Sequence, residues 1–589
     1  MKRVSLATAL GILCYLVALP AAGSLAATAA SAAPATYRGT PGSAARLTQA
    51  ASVSGFPEVQ SAFRNQGPQT FVPIRTPAGP DPAAASHAAQ APAMSANATV
   101  SGTVSPAAAA APGHGPSGGQ VIQAFNGVSN LDSDNLNGFA ITPPDQGLCV
   151  GRDQTLGGSP DAVWEPVNMA ARETAPDGAP LRADVTLATV FQDPFAEGDV
   201  RCLYDPSTQS FYFTEIGFPV ATGPASDDNN TTADVVVMNG RGVAAYQFDT
   251  SLGGPSAGDC FGDQPKTGFD NNALTISTDE YCGPTESNYE GAIVLAISKS
   301  QLVHEDATVS DSVLGPVSLQ GDPVVGLDPA INTGSGAGYF VNSVPFLANG
   351  DNNPVGTTLG VWTLRNSASV TTGHGTPVLT GRAIPSQPYA FPVPATSTGD
   401  GSTTTVNGSV ITSETALNPD DSRMSGPVGV TRGRGGGVLL TTALDAAVTV
   451  KGSTTDAGAW FQVSPDAARV VRQGYVIAEG ADLLYPAIQP QPSGPGEMVF
   501  TITSATINPS PAYTRVGSGR ITTVASGAGA HLSFTDAPPF NQPRWGDSSF
   551  VAADPAGTGI WLATEYIPPA ADQDPFDNWG TYVFEVTGR

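Results

Sequence analysis

From Val121 to Arg589 short apolar runs alternate with turn-forming residues, and one pattern recurs. Gly-Asp, a mixed run and a second Asp occur as Gly198-Asp199 to Asp205, Gly262-Asp263 to Asp270, Gly321-Asp322 to Asp328, and Gly546-Asp547 to Asp554. In three copies the second Asp precedes proline (Pro206, Pro329, Pro555), the chemistry of a type I turn. A strand-like run follows each: Phe211 to Thr214, Ala273 to Ile276, Gly338 to Val341 and Ile560 to Ala563. The pattern therefore predicts hairpins. Third strands follow at Gly242 to Phe248, Gly291 to Ile297, Leu359 to Leu364 and Gly580 to Val586.

Weaker units centre on Leu148–Asn168, Pro427–Phe461 and Tyr485–Arg520. Seven units in about 445 residues give roughly 63 each, room for propeller blades with insertions. The expected fold is all-β, a single seven-bladed β-propeller over 120–589. Six blades is the alternative, because Thr371–Thr412 is irregular, and a two-sheet sandwich would rarely repeat one hairpin signature four times. The last unit offers only three strands, while a lone strand, Val121-Ile122-Gln123-Ala124-Phe125, precedes the first. That strand is expected to complete the last blade and close the ring.

Met1-Lys2-Arg3 followed by apolar Val4 to Leu19 and then Ala30-Ser31-Ala32 predicts a signal peptide over 1–32. The sequence has no second apolar span of about 20 residues. Residues 33–119 are rich in Ala, Pro, Ser, Gly and Thr and are expected to be a disordered linker. Within it, Phe56 to Val59 and Phe71 to Ile74 are candidates for docking on the domain.

Composition narrows the partners. Sixty-seven glycines and 52 prolines argue against a helical bundle or a coiled coil. A net charge of −26 excludes nucleic acid and anionic membrane surfaces as expected partners.

Asp145-Gln-Gly147 with Trp164 to Asn168, Gly262 to Asp270, Asp421-Ser-Arg423, Tyr485 to Ile488, Tyr513-Thr-Arg515 with Gly519-Arg520, and Arg544 to Asp547 with Asn578 to Thr581 together resemble secreted bacterial β-propeller proteins of poorly defined function. The resemblance spans Val121–Arg589 and implies fold and export, without agreed catalytic residues. Ser548 stands where the pattern leads one to expect an aromatic.

Outside the signal, four cysteines remain. Cys260 and Cys282 flank one hairpin, and Cys149 and Cys202 fall on the innermost strands of neighbouring blades. The expected disulfides are Cys149–Cys202 and Cys260–Cys282. A zinc site is not indicated, because there is no C-x-x-C and the five histidines show no ligand spacing.

Asp199, Asp263, Asp322 and Asp547 are expected at the starts of first strands, and Glu215, Glu280 and Glu565 at the ends of second strands. Blade repetition would gather them near the central channel. Three readings stand: turn caps, a Ca²⁺ site at Asp199, Asp263, Asp322 and Asp547, or acid/base chemistry on a glycosidic bond by Asp263, Glu280, Asp547 and Glu565. The acidic loops Asp227 to Asn230 and Asp572 to Asp577 read as solvated turns. Two G-x-S-x-G matches, including Gly254 to Gly258, lack a strand-to-helix context. The tryptophans are expected in blade cores.

The expected function is that of a secreted, monomeric, noncatalytic module binding a protein, glycan or cell-wall polymer. The alternative is an extracellular polysaccharide hydrolase or lyase using the channel carboxylates. The Asp-box repeat (S-x-D-x-G-x-T-W) is absent, which counts against a sialidase-type enzyme. No cluster of His, Tyr or Arg at matched blade positions offers a lyase its base.

Overall fold

A computed structural model describes residues 34–47, 71–73 and 119–588, with breaks at 197, 219–230, 251–259, 284–287, 335, 345–354, 493, 536–542, 556 and 558. The expected signal peptide, most of the expected linker, the Asp227 to Asn230 loop and Gly254 to Gly258 lie outside the described residues. Everything below concerns the unit Pro34–Arg589. Among the described residues no helix is long and apolar enough to cross a membrane.

The protein is all-β. Seven four-stranded antiparallel meanders run through 149–186, 198–249, 260–314, 328–390, 428–476, 482–523 and 550–587, the last taking its fourth strand from the N-terminal side. The third, fourth and fifth join into one 14-stranded sheet through short pairings at Phe269↔Ile331, Ala330↔Val428 with Ile331↔Gly429, and Ala390↔Ala447. Their first strands are Cys149–Arg152, Gly198–Asp205, Cys260–Phe269, Asp328–Ile331, Val428–Arg432, Asp482–Gln491 and Phe550–Ala553. Each touches the next, and the seventh returns against the first, so the cycle is closed.

The closing strand is Val121–Ser129, antiparallel to Gly580–Thr587. Beyond its end, the Thr587 amide donates to the Gln120 carbonyl at 2.9 Å and the Tyr513 hydroxyl to the Gly119 carbonyl at 2.7 Å. An otherwise open edge is thereby paired. Trp164, Trp362, Trp545, Trp561 and Trp579 are fully buried, which places Trp545 and Trp579 in the interior. Their indole N–H groups need partners there; Trp579 finds the Ile141 carbonyl and Trp362 the Asn342 side chain, both at 2.8 Å.

The segment 33–119 is not uniformly a disordered linker. Ala35–Arg38 pairs with the outer strand of the fourth sheet, and Thr40–Ala45 with that of the third. Phe71–Pro73 pairs in parallel with Ala140–Thr142. The physical reason is that outer strands present unpaired backbone groups, which even a Thr-, Gly- and Ala-rich segment can satisfy. Tyr37 anchors the contact, its ring 6.2 Å from that of Trp362 and its hydroxyl donating to the Ser318 carbonyl at 3.1 Å. Arg46 adds an ion pair to Glu305 at 2.9 Å. Two disulfides, Cys149–Cys202 and Cys260–Cys282, have Cα separations of 5.3 and 4.0 Å.

Candidate functional site: a charged pocket inside the ring of first strands

The first strands share a local device. At their entries Asp145, Asp199, Gln264, Gly326 and Tyr485 have φ between 42° and 58°, the left-handed region. In the second, third and sixth sheets a β-bulge follows directly, between Gly198 and Arg201, Asp263 and Lys266, and Leu484 and Ala487. A bulge re-aims the side chains beyond it. Non-glycine residues held at such φ cost on the order of 1–3 kcal/mol each, and this strain collects at functional sites.

Two residues past the turn stand Gly147, Arg201, Lys266, Asp328 and Ala487. The pairing of Ala330 with Val428 places Gly426 at the same level in the fifth sheet. One level of the ring is therefore long and charged in three adjacent sheets and small elsewhere. Gly426 must be small, since a Cβ there would lie 2.4 Å from that of Ala487. The imbalance opens a small pocket lined by Arg201, Lys266, Asp328, Asp420, Asp421, Arg423, Tyr485, Asp547 and Ser548, among others.

Most charges there are tied down. Arg423 binds Asp421 at 2.6 Å and Asp420 at 2.7 Å, with Asp279 at 3.8 Å. Arg544 binds Asp547 at 3.0 Å. The Lys266 ammonium donates to the Met424 carbonyl at 2.9 Å and lies 3.5 Å from Asp328. Arg201 differs: its guanidinium makes one hydrogen bond, to the Val200 carbonyl at 3.1 Å, and no ion pair among the described residues. The Tyr485 hydroxyl is buried without a hydrogen-bond partner.

Adjacent sheets are also laced through backbone amides. The Asp547 amide donates to Asp145 Oδ1 at 2.8 Å, and Asn168 donates to Asp145 Oδ2 at 2.7 Å. Asn168 in turn accepts from the Asp199 amide at 2.8 Å. Burial pushes the Asp145 carboxyl up to about 7, helped by Asp199 and opposed by Arg544. Burial likewise raises Asp328 to about 6 against the pull of Lys266. Asp199, Asp263 and Asp547 are raised by burial first; Asp547 adds to Asp199, Asp199 to Asp263, and Asp145 to Asp547.

Several sequence expectations change here. Asp322 belongs to a small separate hairpin, Ser318–Leu319 with Asp322–Pro323, and is not at the start of a first strand. The third Gly-Asp copy, Gly321-Asp322 to Asp328, is out of phase by four residues. Phe269 opposite Ile331 makes Asn332 the counterpart of the turn residue Asp270, and Asp328 the counterpart of Lys266. Glu280 is not the counterpart of Glu565. Arg201↔Thr214 and Lys266↔Ser277 set the register, so Glu280 sits two residues beyond the position matching Glu215. It points away from the pocket, beside the Cys260–Cys282 bridge, accepting from the Thr278 hydroxyl at 2.5 Å. Glu565 is a backbone clamp, accepting the Gly546 amide at 2.7 Å.

Asp199, Asp263 and Asp547 feel one another electrostatically, yet they do not bring three carboxylates within 4.8 Å, the spacing a Ca²⁺ cage would need. Among the described residues the only such three-donor group is Cys260, Glu280 and Cys282, whose sulfurs are bonded together. Arg201, Arg423 and Tyr485 nonetheless converge on the pocket from unmatched positions, which a search of matched blade positions does not find. Ser548 is buried on the pocket wall, its hydroxyl donating to the Gln146 carbonyl at 3.4 Å.

No protein-family model matches the chain, and no curated protein sequence matches it. Among solved structures, it is similar to a Trypanosoma rangeli sialidase in complex with sialic acid. The identity is 9% and the TM-score 0.29, over 64% of this chain and 52% of that one. The chain thus spans about half that sialidase's length. The parainfluenza virus 5 hemagglutinin-neuraminidase ectodomain aligns at 8% identity and TM-score 0.35, over 80% and 86% of the two chains. An ulvan lyase of polysaccharide lyase family PL25 aligns at 10% and 0.25, over 80% and 94%. With overlaps this loose, what the pocket does must follow from its own residues.

Proposed function

We propose that the chain is an exported, monomeric, seven-bladed β-propeller whose central pocket binds an extracellular glycan without cleaving it. The seven meanders in a closed cycle and the shared last sheet support the propeller. The two disulfides and the basic, then apolar, N-terminus support export over 1–32. The observation that carries the binding reading is the lining of the pocket, where aspartates, basic groups and the partnerless Tyr485 hydroxyl face one space. Sugar hydroxyls donate and accept at once, so they suit a wall that offers both kinds of group.

Hydrolysis is the second reading, favoured by Asp328, whose carboxyl is pushed up to about 6 on the same wall as Asp547. A general acid must hold its proton near working pH. Glycan-array binding by the mature chain, followed by calorimetry on the best ligand, tests the main reading. Tyr485→Phe and Asp547→Asn should weaken that ligand by about tenfold, the worth of one or two hydrogen bonds. Affinity unchanged in both variants contradicts the pocket assignment. New reducing ends, lost in Asp547→Asn and Asp328→Asn, would establish the hydrolytic reading instead.

A further inference from the structure

We propose that Arg201 and Lys266 form an oxyanion subsite within the pocket, so that the ligand is a saccharide carrying a carboxylate or sulfate group. The inference rests on the glycan reading above and names the ligand's chemical class. Arg201 and Lys266 occupy equivalent places in adjacent sheets. Each stands two residues past a left-handed residue and just beyond a bulge, so the backbone aims both inward. They are 8% and 6% exposed.

A guanidinium so deeply buried is costly unless its donors are used. Arg201 has five N–H donors, and among the described residues it uses one. The other cations nearby are matched to aspartates, Arg423 by Asp420 and Asp421 and Arg544 by Asp547, which leaves Arg201 as the group lacking a counter-ion. The carboxyls whose charge reaches Arg201, Asp145, Asp199 and Asp328, do not serve, for none is within ion-pair distance, and burial shifts all three toward the neutral form. Planar oxyanions meet a guanidinium through two parallel hydrogen bonds, and an adjacent ammonium adds a point charge. Tyr485, kept protonated by burial, has a hydroxyl free to donate to the same ligand.

The chain's net charge of −26 repels long polyanions, so the test uses small probes. Calorimetry and thermal shift on the mature chain would compare methyl galacturonoside, glucose 6-sulfate, methyl galactoside and inorganic sulfate. The acidic sugars should bind about 10- to 100-fold more tightly than methyl galactoside, the range for a charged hydrogen-bonded contact. The better of the two acidic sugars identifies carboxylate or sulfate as the group. Arg201→Met should erase the preference, and Arg201→Lys should keep part of it, separating lost charge from lost folding.

Equal affinity for acidic and neutral sugars, unchanged in Arg201→Met, overturns the subsite and leaves the glycan reading standing. Sulfate binding that depends on Arg201, with no sugar bound, supports the subsite and overturns the glycan reading. No binding of any probe overturns both.

Discussion

Glu280 is fully buried, with one oxygen held by Thr278 and the other without a partner. Burial pushes its carboxyl up to about 8, with smaller contributions from Asp279 and Asp249. The folded protein therefore keeps this proton over a range where the unfolded chain, titrating near 4.5, has released it. Stability from this group is complete below about pH 4.5, declines as pH rises, and levels off above about 8. At 1.36 kcal/mol per pH unit, the loss between pH 5 and pH 8 is about 3–4 kcal/mol. Glu280→Gln removes the titration and keeps the shape. Its amide adds an unpartnered group, but that cost does not vary with pH. Urea unfolding of both proteins at pH 5 and 8, with equal m-values, reads the difference directly. The variant should gain about 3–4 kcal/mol relative to the wild type across that interval, while ligand affinity stays the same. Parallel stability curves would refute the burial argument, and lost binding would return Glu280 to the site.

Arg423→Met should cost about 3–5 kcal/mol, because it strands buried Asp421 and Asp279 without their cation; a melt close to wild type contradicts this. Removing residues up to Ser129 should expose the edge of Gly580–Thr587 and give oligomers by size exclusion, with a Gly119–Ser129 peptide restoring the monomer. Replacing Cys260 and Cys282 by alanine should lower stability by about 3 kcal/mol for a closed loop of this length, measured by denaturant unfolding; an unchanged midpoint is the contrary result.

Hairpins, ring closure and cysteine pairs were legible because each rests on local chemistry: Asp-Pro turns, alternating apolar runs, and cysteines flanking a hairpin. Phase was not. Gly-Asp at 321–322 mimics the dipeptide at 198–199 but turns a side hairpin, and only the pairing of Phe269 with Ile331 reveals the slip. The bulges were hidden for a related reason. Gln264 and Tyr485 are not residues that favour left-handed backbone, so nothing local announced that Lys266 and Arg201 would share a level. The spacing Arg201-x-x-x-Asp205, Lys266-x-x-x-Asp270 and Asp328-x-x-x-Asn332 was the available signal. Ala35–Ala45 lacked any strand signature because its partners are the edges of distant sheets.

The most direct measurement is a crystal structure of the mature chain soaked with the tightest-binding saccharide from the array. The account predicts the sugar within the ring of first strands, its acidic group bidentate on Arg201 and a hydroxyl on Tyr485. A saccharide seated on the outer rim, with the Arg201 pocket holding only water, would contradict it.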